Sequence, residues 1–160
     1  MIRPCEVSDA AAICSIYNHF VRNSIATFEE TPVIEQDMVQ RIRTVIDHLP
    51  WLVWEQDGAI SGFCYASPWR ARSAYRHSVE TTVYLSPEST RRGIGAQLYR
   101  ELVSRLRSLD IHSAMGVIAL PNPASVAVHE KTGFRKVGQL HEIGRKFDQW
   151  IDVGYWQLML

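Results

Sequence analysis

The chain has 160 residues, with 17 Lys and Arg against 17 Asp and Glu, so its formal net charge is zero. Hydrophobic residues make up 46% and charged residues 21%, which suits one folded domain over residues 1–160 with a core that needs no staples. That balance gives no drive for nucleic-acid binding by counterion release, no apolar run approaches the ~18 residues of a membrane helix, and Cys5, Cys14 and Cys64 are too few and too scattered for a disulfide framework or a zinc site.

Neither a low-complexity tract nor an internal repeat is present, and the first residues carry no apolar leader. The expectation is a cytoplasmic protein with no metal, nucleic-acid or membrane partner. Ile2 to Val7 reads as a first strand. Ser8-Asp9 then caps a helix with Ala10, Ala11, Ile13, Ile16, Tyr17 and Phe20 at helical spacing, ending near Ser24. Thr31-Pro32 reads as the start of a second helix, with Pro in the first turn. Its stripe is Val39, Ile42, Ile46 and Leu49, as far as Pro50. Leu52–Glu55 and Ala59–Ala66 are apolar runs joined by Asp57-Gly58, a hairpin signal. Ser67 to His77 is a polar, basic loop with room for one helical turn, and Val79–Leu85 is another strand.

Pro87 to Arg92 is a break. From Gly95 a helix runs with Leu98, Leu102, Val103, Leu106 and Leu109 on one face. Ala114–Leu120 is a buried strand, closed by Pro121-Asn122-Pro123. Ser125 caps a short helix over 126–131, which Gly133 ends. Phe134–Leu140 and Trp150–Leu160 are the last strands, with Arg145–Gln149 in their connection. The order β-α-α-β-β-β-α-β-α-β-β describes one α/β sheet covered by helices.

Two segments carry chemistry. In Val83 to Ala96, a strand ends at Tyr84 and Leu85, a turn with Arg91, Arg92, Gly93, Ile94 and Gly95 follows, and an amphipathic helix begins. Free N–H groups at a helix start, flexible glycines and two guanidinium groups make a cradle for a phosphate or pyrophosphate. The alternative is a plain βα turn. A Walker loop would need Gly-Lys-Ser/Thr, and a dinucleotide fingerprint a third glycine where Leu98 stands. The second segment is Leu120 to Phe134. Asn122 sits at a strand end, Ser125 at a helix start and His129 one turn on. Alone, Asn122 reads more often as a turn former and His129 as a surface or cap residue, with Ser125 as the cap of the short helix.

Together the two segments resemble the GNAT superfamily of acyl-CoA-dependent N-acyltransferases. Thr90-Arg91-Arg92-Gly93-Ile94-Gly95 matches its Gln/Arg-x-x-Gly-x-Gly/Ala turn at both glycines, with Thr90 in place of the usual first residue. The chain is similar nearly end to end to the phosphinothricin and methionine sulfone/sulfoximine acetyltransferases. That similarity includes Phe28 and its neighbours, Tyr65 to Tyr75, Val79 to Tyr84, Leu120 to Ser125, His129 to Phe134, Gly144-Arg-Lys-Phe147 and Trp150 to Trp156.

The resemblance implies a central, mostly antiparallel sheet splayed between its fourth and fifth strands. It also implies acetyl-CoA as co-substrate and direct attack by an amine without an acyl-enzyme. No Gly-x-Ser-x-Gly elbow is present, and Cys64 reads as core. The implied acceptor is the α-amine of phosphinothricin, methionine sulfoximine or methionine sulfone, a detoxifying or herbicide-resistance activity. Other readings are a protein N-terminus, a lysine, another amine, or a non-catalytic acyl-CoA-binding module.

Glu80, on the strand that leads into the turn, is the candidate base, because partial burial raises a carboxyl pKa. The other reading pairs it structurally with Arg70, Arg72 or Arg76. His129 is the alternative acid or base. Cofactor contacts are expected from Val83, Tyr84 and Leu85, whose backbone would polarise the carbonyl. Others are expected from Arg91, Arg92, Gly93, Ile94, Gly95, Ala96, Asn122 and Ser125. Acceptor contacts are expected from Phe28, Arg70, Arg72 and Tyr75, since guanidinium forks suit carboxylate and phosphinate oxygens. Trp150 and Trp156 read as core or interface. The resemblance also implies a homodimer, with the Arg145–Gln149 loop reaching the partner's site.

Overall fold

In the computed structural model all 160 residues are described. The strands are β1 (Ile2–Pro4), β2 (Trp51–Gln56), β3 (Ala59–Pro68), β4 (Ser78–Leu85), β5 (Ser113–Leu120), β6 (Arg135–Lys146) and β7 (Gln149–Met159). The helices are α1 (Ala10–Asn23), α2 (Glu35–Ile46), α3 (Ile94–Arg107) and α4 (Pro123–Lys131). One sheet joins the seven strands in the order β1-β2-β3-β4-β5-β7-β6. Every pairing is antiparallel except β4 with β5. The expected α/β class and element order hold.

Alternation along the strands makes two cores, one on each face. On one face α3 buries Leu98, Tyr99, Leu102 and Leu106 against Leu52, Cys64, Val79, Ala114 and Ile118. On the other, Ile13 of α1 and Met38 and Ile42 of α2 pack on Trp51, Val53, Phe63 and Tyr84. Each fully buried Leu or Ile contributes about 1.5–3 kcal/mol. Cys64 is buried core, as expected.

The β4–β5 pair positions the site. Its parallel register covers only Ser78 to Thr81 against Ser113 to Gly116. Beyond that point β5 stays paired with β7 through Leu120, and β4 with β3 through Leu85. The two halves of the sheet therefore part between Thr82–Leu85 and Val117–Leu120. The splay is where the family resemblance placed it.

Several boundaries differ from the sequence reading. The first strand stops at Pro4, and Val7–Asp9 is a turn of 3-10 helix. The second helix begins at Glu35 rather than at Thr31-Pro32. Its approach is pinned by Asn18: the Val33 N–H donates to Oδ1 at 2.8 Å, and Nδ2 donates to the Val33 carbonyl at 2.8 Å. Those bonds occupy backbone groups that a longer helix would need. α3 starts at Ile94, one residue early, and ends at Arg107, so Leu109 lies outside it and is exposed. α4 starts at Pro123, because Asn122 rather than Ser125 is its cap. β6 runs on to Lys146, with a break in register between Leu140 and Gly144. The last connection is therefore only Phe147-Asp148, with φ of 51° and 59°. Left-handed φ at both positions is the hairpin-turn geometry usually signalled by Asn-Gly.

Candidate active site

A cleft of about 410 Å³ opens where β4 and β5 part. β4 lines it from Glu80 to Leu85, β5 with Val117, Ile118 and Ala119, and α4 with Asn122, Ser125, Val128 and His129. Thr90 and Gly95 close one end, and Ile25 to Phe28 form a wall at the other. Because alternate β4 residues point to opposite faces, Glu80 and Tyr84 lie on the α1/α2 face, while Thr81 lies on the α3 face. The cleft thus joins two sides of the sheet. Once β5 has left, the backbone groups of Thr82–Leu85 on that edge have no strand partner and line the passage.

At the α3 end the chain forms an anion cradle. Gly93 caps the helix with φ of 76°, and Arg91 is also left-handed at 61°. Successive left-handed and helical residues turn N–H groups to one side, a conformation that suits anions. The amides from Arg91 to Ala96 donate to no backbone carbonyl; the first such bond from α3 is Gln97 N–H to Gly93. The cap has no side-chain hydrogen bond. Positive helix-end charge and unpaired donors therefore face outward together. Gly95 packs on Leu85 and Val128 and joins the cleft lining. The Arg91 and Arg92 side chains are exposed, and Arg92 reaches Gln56 at 3.4 Å. Ile94 and Ala96 are buried beneath. Thr90 bonds the Pro87 carbonyl at 3.0 Å.

Asn122 Oδ1 accepts the Ser125 N–H at 3.1 Å, which caps α4. Its Nδ2 donors remain for the cleft. Ser125 sits in the first turn, and its carbonyl faces His129 Nδ1 at 2.8 Å. A carbonyl only accepts, so Nδ1 carries the proton. Nε2 then accepts from the Tyr99 hydroxyl at 2.8 Å. Burial holds the imidazole below its usual pKa, opposed by the Ser125 carbonyl, so His129 is neutral near pH 7. Tyr99 stands 3.3 Å from Thr81 Oγ1, which bonds the Met115 carbonyl at 3.2 Å. The imidazole edge lies against Gly116, where a Cβ would come closer than 3.0 Å to ring atoms.

Glu80 is half-buried on β4, and no side chain bonds its carboxylate at hydrogen-bond distance. Burial raises its pKa, and the charge of Arg70 opposes the rise. Arg70 itself is stacked on Trp69, 4.4 Å from the ring centre. Arg72 and Tyr75 are exposed at the turn Ser73–Tyr75 and do not line the cleft. Of the four expected acceptor residues only Phe28 is in the lining. No cysteine lines the cleft, and no three His, Cys, Asp or Glu side chains gather as a metal site.

Sequence reasoning missed Tyr17, Tyr65, Thr81, Tyr99 and Lys146. Tyr17 and Tyr99 fall on buried helix stripes, so their hydroxyls read as incidental to core packing. The sequence pattern puts Lys146 in the last connection; it is instead a buried β6 residue bonded to the Ser24 and Thr27 carbonyls.

A split sheet with an anion cradle at one side of the split and a half-buried carboxylate at the other defines an acyl-CoA-dependent N-acyltransferase. Residues 2–154 match the acetyltransferase (GNAT) domain, and the chain belongs to that family. It is 40% identical over 156 residues to the phosphinothricin N-acetyltransferase of Streptomyces viridochromogenes, covering 98% of this chain and 85% of that one. It is 31% identical to the L-methionine sulfoximine/L-methionine sulfone acetyltransferase of Salmonella typhimurium, covering 99% and 94%. The GNAT phosphinothricin acetyltransferase of Sinorhizobium meliloti, solved in complex with AcCoA, superposes with a TM-score of 0.97 at 38% identity. It covers 100% of this chain and 88% of that one.

Proposed function

We propose that this enzyme transfers acetyl from acetyl-CoA to the α-amine of a small amino-acid analogue, with phosphinothricin, methionine sulfoximine and methionine sulfone as acceptors. The observation that carries this reading is the passage through the sheet, with free amides of α3 on one side and Glu80 on the other. The cradle of Arg91 to Ala96 holds the pyrophosphate, with Arg91 and Arg92 adding charge. Asn122 Nδ2 bonds the pantetheine arm, and Ser125 lies beside it. The thioester reaches between β4 and β5, where the unpaired backbone near Val83, Tyr84 and Leu85 polarises its carbonyl.

Glu80 takes a proton from the acceptor ammonium, through water. The neutral amine nitrogen attacks the carbonyl carbon, the C–S bond breaks, and the nitrogen's second proton passes to the departing sulfur, so that the amide and the free CoA thiol are the products. The network of His129, Tyr99 and Thr81 lines the other side, and the Tyr99 hydroxyl is the donor nearest its histidine. Phe28 forms an apolar wall. Arg70, whose charge already reaches Glu80, suits the acceptor carboxylate, with Arg72 and Tyr75 on the same loop. An acidic site would suit a polyamine; this loop is basic.

The test is thiol release with L-phosphinothricin, L-methionine sulfone, L-methionine sulfoximine, an alanine-terminated peptide and spermidine. The expected result is kcat/KM highest for one of the three analogues. Higher values for the peptide or spermidine would move the acceptor to another amine class.

The same reading takes the chain as a homodimer in the cytoplasm. Val137, Leu140, Ile143, Phe147 and Trp150, all on the β6–β7 hairpin, are exposed, and an apolar group of this kind marks an interface. Trp156, by contrast, is buried core. Light scattering is expected to return twice the chain mass; the mass of one chain would remove the dimer.

A further inference from the structure

The motif Gly144-Arg-Lys-Phe147 has no part in the chemistry above, yet two of its residues hold the wall of the cleft. Lys146 is 3% exposed, and its Nζ donates to the Ser24 carbonyl at 2.7 Å and the Thr27 carbonyl at 2.8 Å. Ser24 is the C-cap of α1, so the ammonium also sits at the negative end of that helix. It makes no ion pair with a carboxylate. A buried ammonium is costly unless its donors are satisfied, and here both satisfying groups belong to the 24–27 segment. Two further bonds fix that segment: the Tyr84 hydroxyl donates to the Ala26 carbonyl at 3.1 Å, and Tyr17 and Thr27 hydroxyls meet at 2.7 Å. One residue on, the Phe28 ring lies over Gly144, where a Cβ would come closer than 3.0 Å to three of its atoms.

We propose that Lys146 and Gly144 are positioning residues that set the acceptor wall from the far edge of the sheet. Lys146 fixes the backbone of Ser24 to Thr27, and the bare Cα of Gly144 seats Phe28. Neither residue lines the cleft; both act through Ile25 to Phe28, which do. The acetyl-CoA cradle at the start of α3 shares no residue with this strap, so the two substrates are set by separate parts of the fold. This inference rests on the acceptor entering on the Phe28 side.

The test compares wild type, Lys146→Met and Gly144→Ala. It reads acceptor KM with L-phosphinothricin and L-methionine sulfone, acetyl-CoA affinity by calorimetry, and hydrogen exchange of amides 24–28. Losing hydrogen bonds to a buried charged group is worth about tenfold or more. Acceptor KM is therefore expected to rise by at least that factor in Lys146→Met, with acetyl-CoA affinity held within about twofold and faster exchange in 24–28. Gly144→Ala, which keeps the ammonium and displaces Phe28, is expected to raise acceptor KM with the same split. Unchanged acceptor KM in both variants, or acceptor and acetyl-CoA affinities falling together, overturns the proposal. If Lys146→Met does not fold, Gly144→Ala decides alone on the same criteria. A wild type inactive on both analogues would count against the acceptor reading instead; exchange then decides, with faster exchange supporting the strap and unchanged exchange overturning it.

Discussion

Glu80→Gln is expected to lower kcat/KM by about 10²- to 10⁴-fold, the usual scale for a positioned general base, with acetyl-CoA affinity unchanged. The carboxylate is the form that accepts a proton, so activity rises with pH as Glu80 ionises. Burial raises that ionisation above the ordinary 4.5, and Arg70 opposes the rise. The acid limb of the wild-type kcat/KM profile is therefore expected above that value. It is absent from Glu80→Gln. Removing the opposing charge in Arg70→Gln shifts the limb to higher pH, besides weakening acceptor binding. Tm in Glu80→Gln is held or raised, because a neutral amide avoids burying a charge in the same volume. A pH profile with the same acid limb in wild type and Glu80→Gln would assign the proton to another group.

The second large effect is expected at Gly116. An added Cβ there collides with the His129 ring, which is buried between Tyr99 and Phe134 at ring-centre distances of 4.8 Å and 5.2 Å. Overpacking of this kind costs about 1–3 kcal/mol. The added methyl pushes the ring toward the cleft it lines, so the bond from Tyr99 to Nε2 breaks. A small misplacement of a catalytic group costs on the order of 10²-fold, and kcat of Gly116→Ala is expected to fall by that order. Gly138→Ala is the control, because a Cβ there meets nothing within 4 Å.

A stability signature accompanies the change. His129 has a folded pKa below its ordinary 6.5, through burial. The unfolded chain then binds the extra proton first, so this contribution is complete above 6.5 and is lost as pH falls toward the folded value. Wild-type Tm is expected to fall over that window. Gly116→Ala, with the ring displaced toward water, is expected to lose less. Equal kcat in Gly116→Ala and wild type would remove the histidine network from the reaction.

The strand and helix stripes were legible because burial follows period. Leu98, Leu102 and Leu106 announce α3, and the Asp57-Gly58 turn announces the β2–β3 hairpin. The cradle was legible because Gly93 and Gly95 stand beside two arginines where a strand ends and an amphipathic helix stripe begins. Asn122, Ser125 and His129 were legible as a group only through the family resemblance; their spacing alone suited a cap and a surface histidine. What stayed hidden depends on contacts between residues far apart in the chain. Asn18 delays α2 by bonding Val33, which no helix-start signal at Thr31-Pro32 reveals. Lys146 meets Ser24 and Thr27, 122 and 119 residues away in the chain. Phe147-Asp148 turns the last hairpin without the usual Asn or Gly, so residues 141–146 of β6 and Gln149 of β7 fall outside the strands that the sequence indicates. Arg72 and Tyr75 matched the chemistry of an acceptor site, but a basic loop does not fix where its side chains point.

Direct transfer within the cleft is tested most directly by initial velocities of thiol release, with acetyl-CoA and L-phosphinothricin both varied. Attack by the amine on a thioester held in the β4–β5 split requires both substrates bound together, so double-reciprocal lines are expected to intersect. Parallel lines would mean that acetyl is first parked on the protein, and would contradict the account.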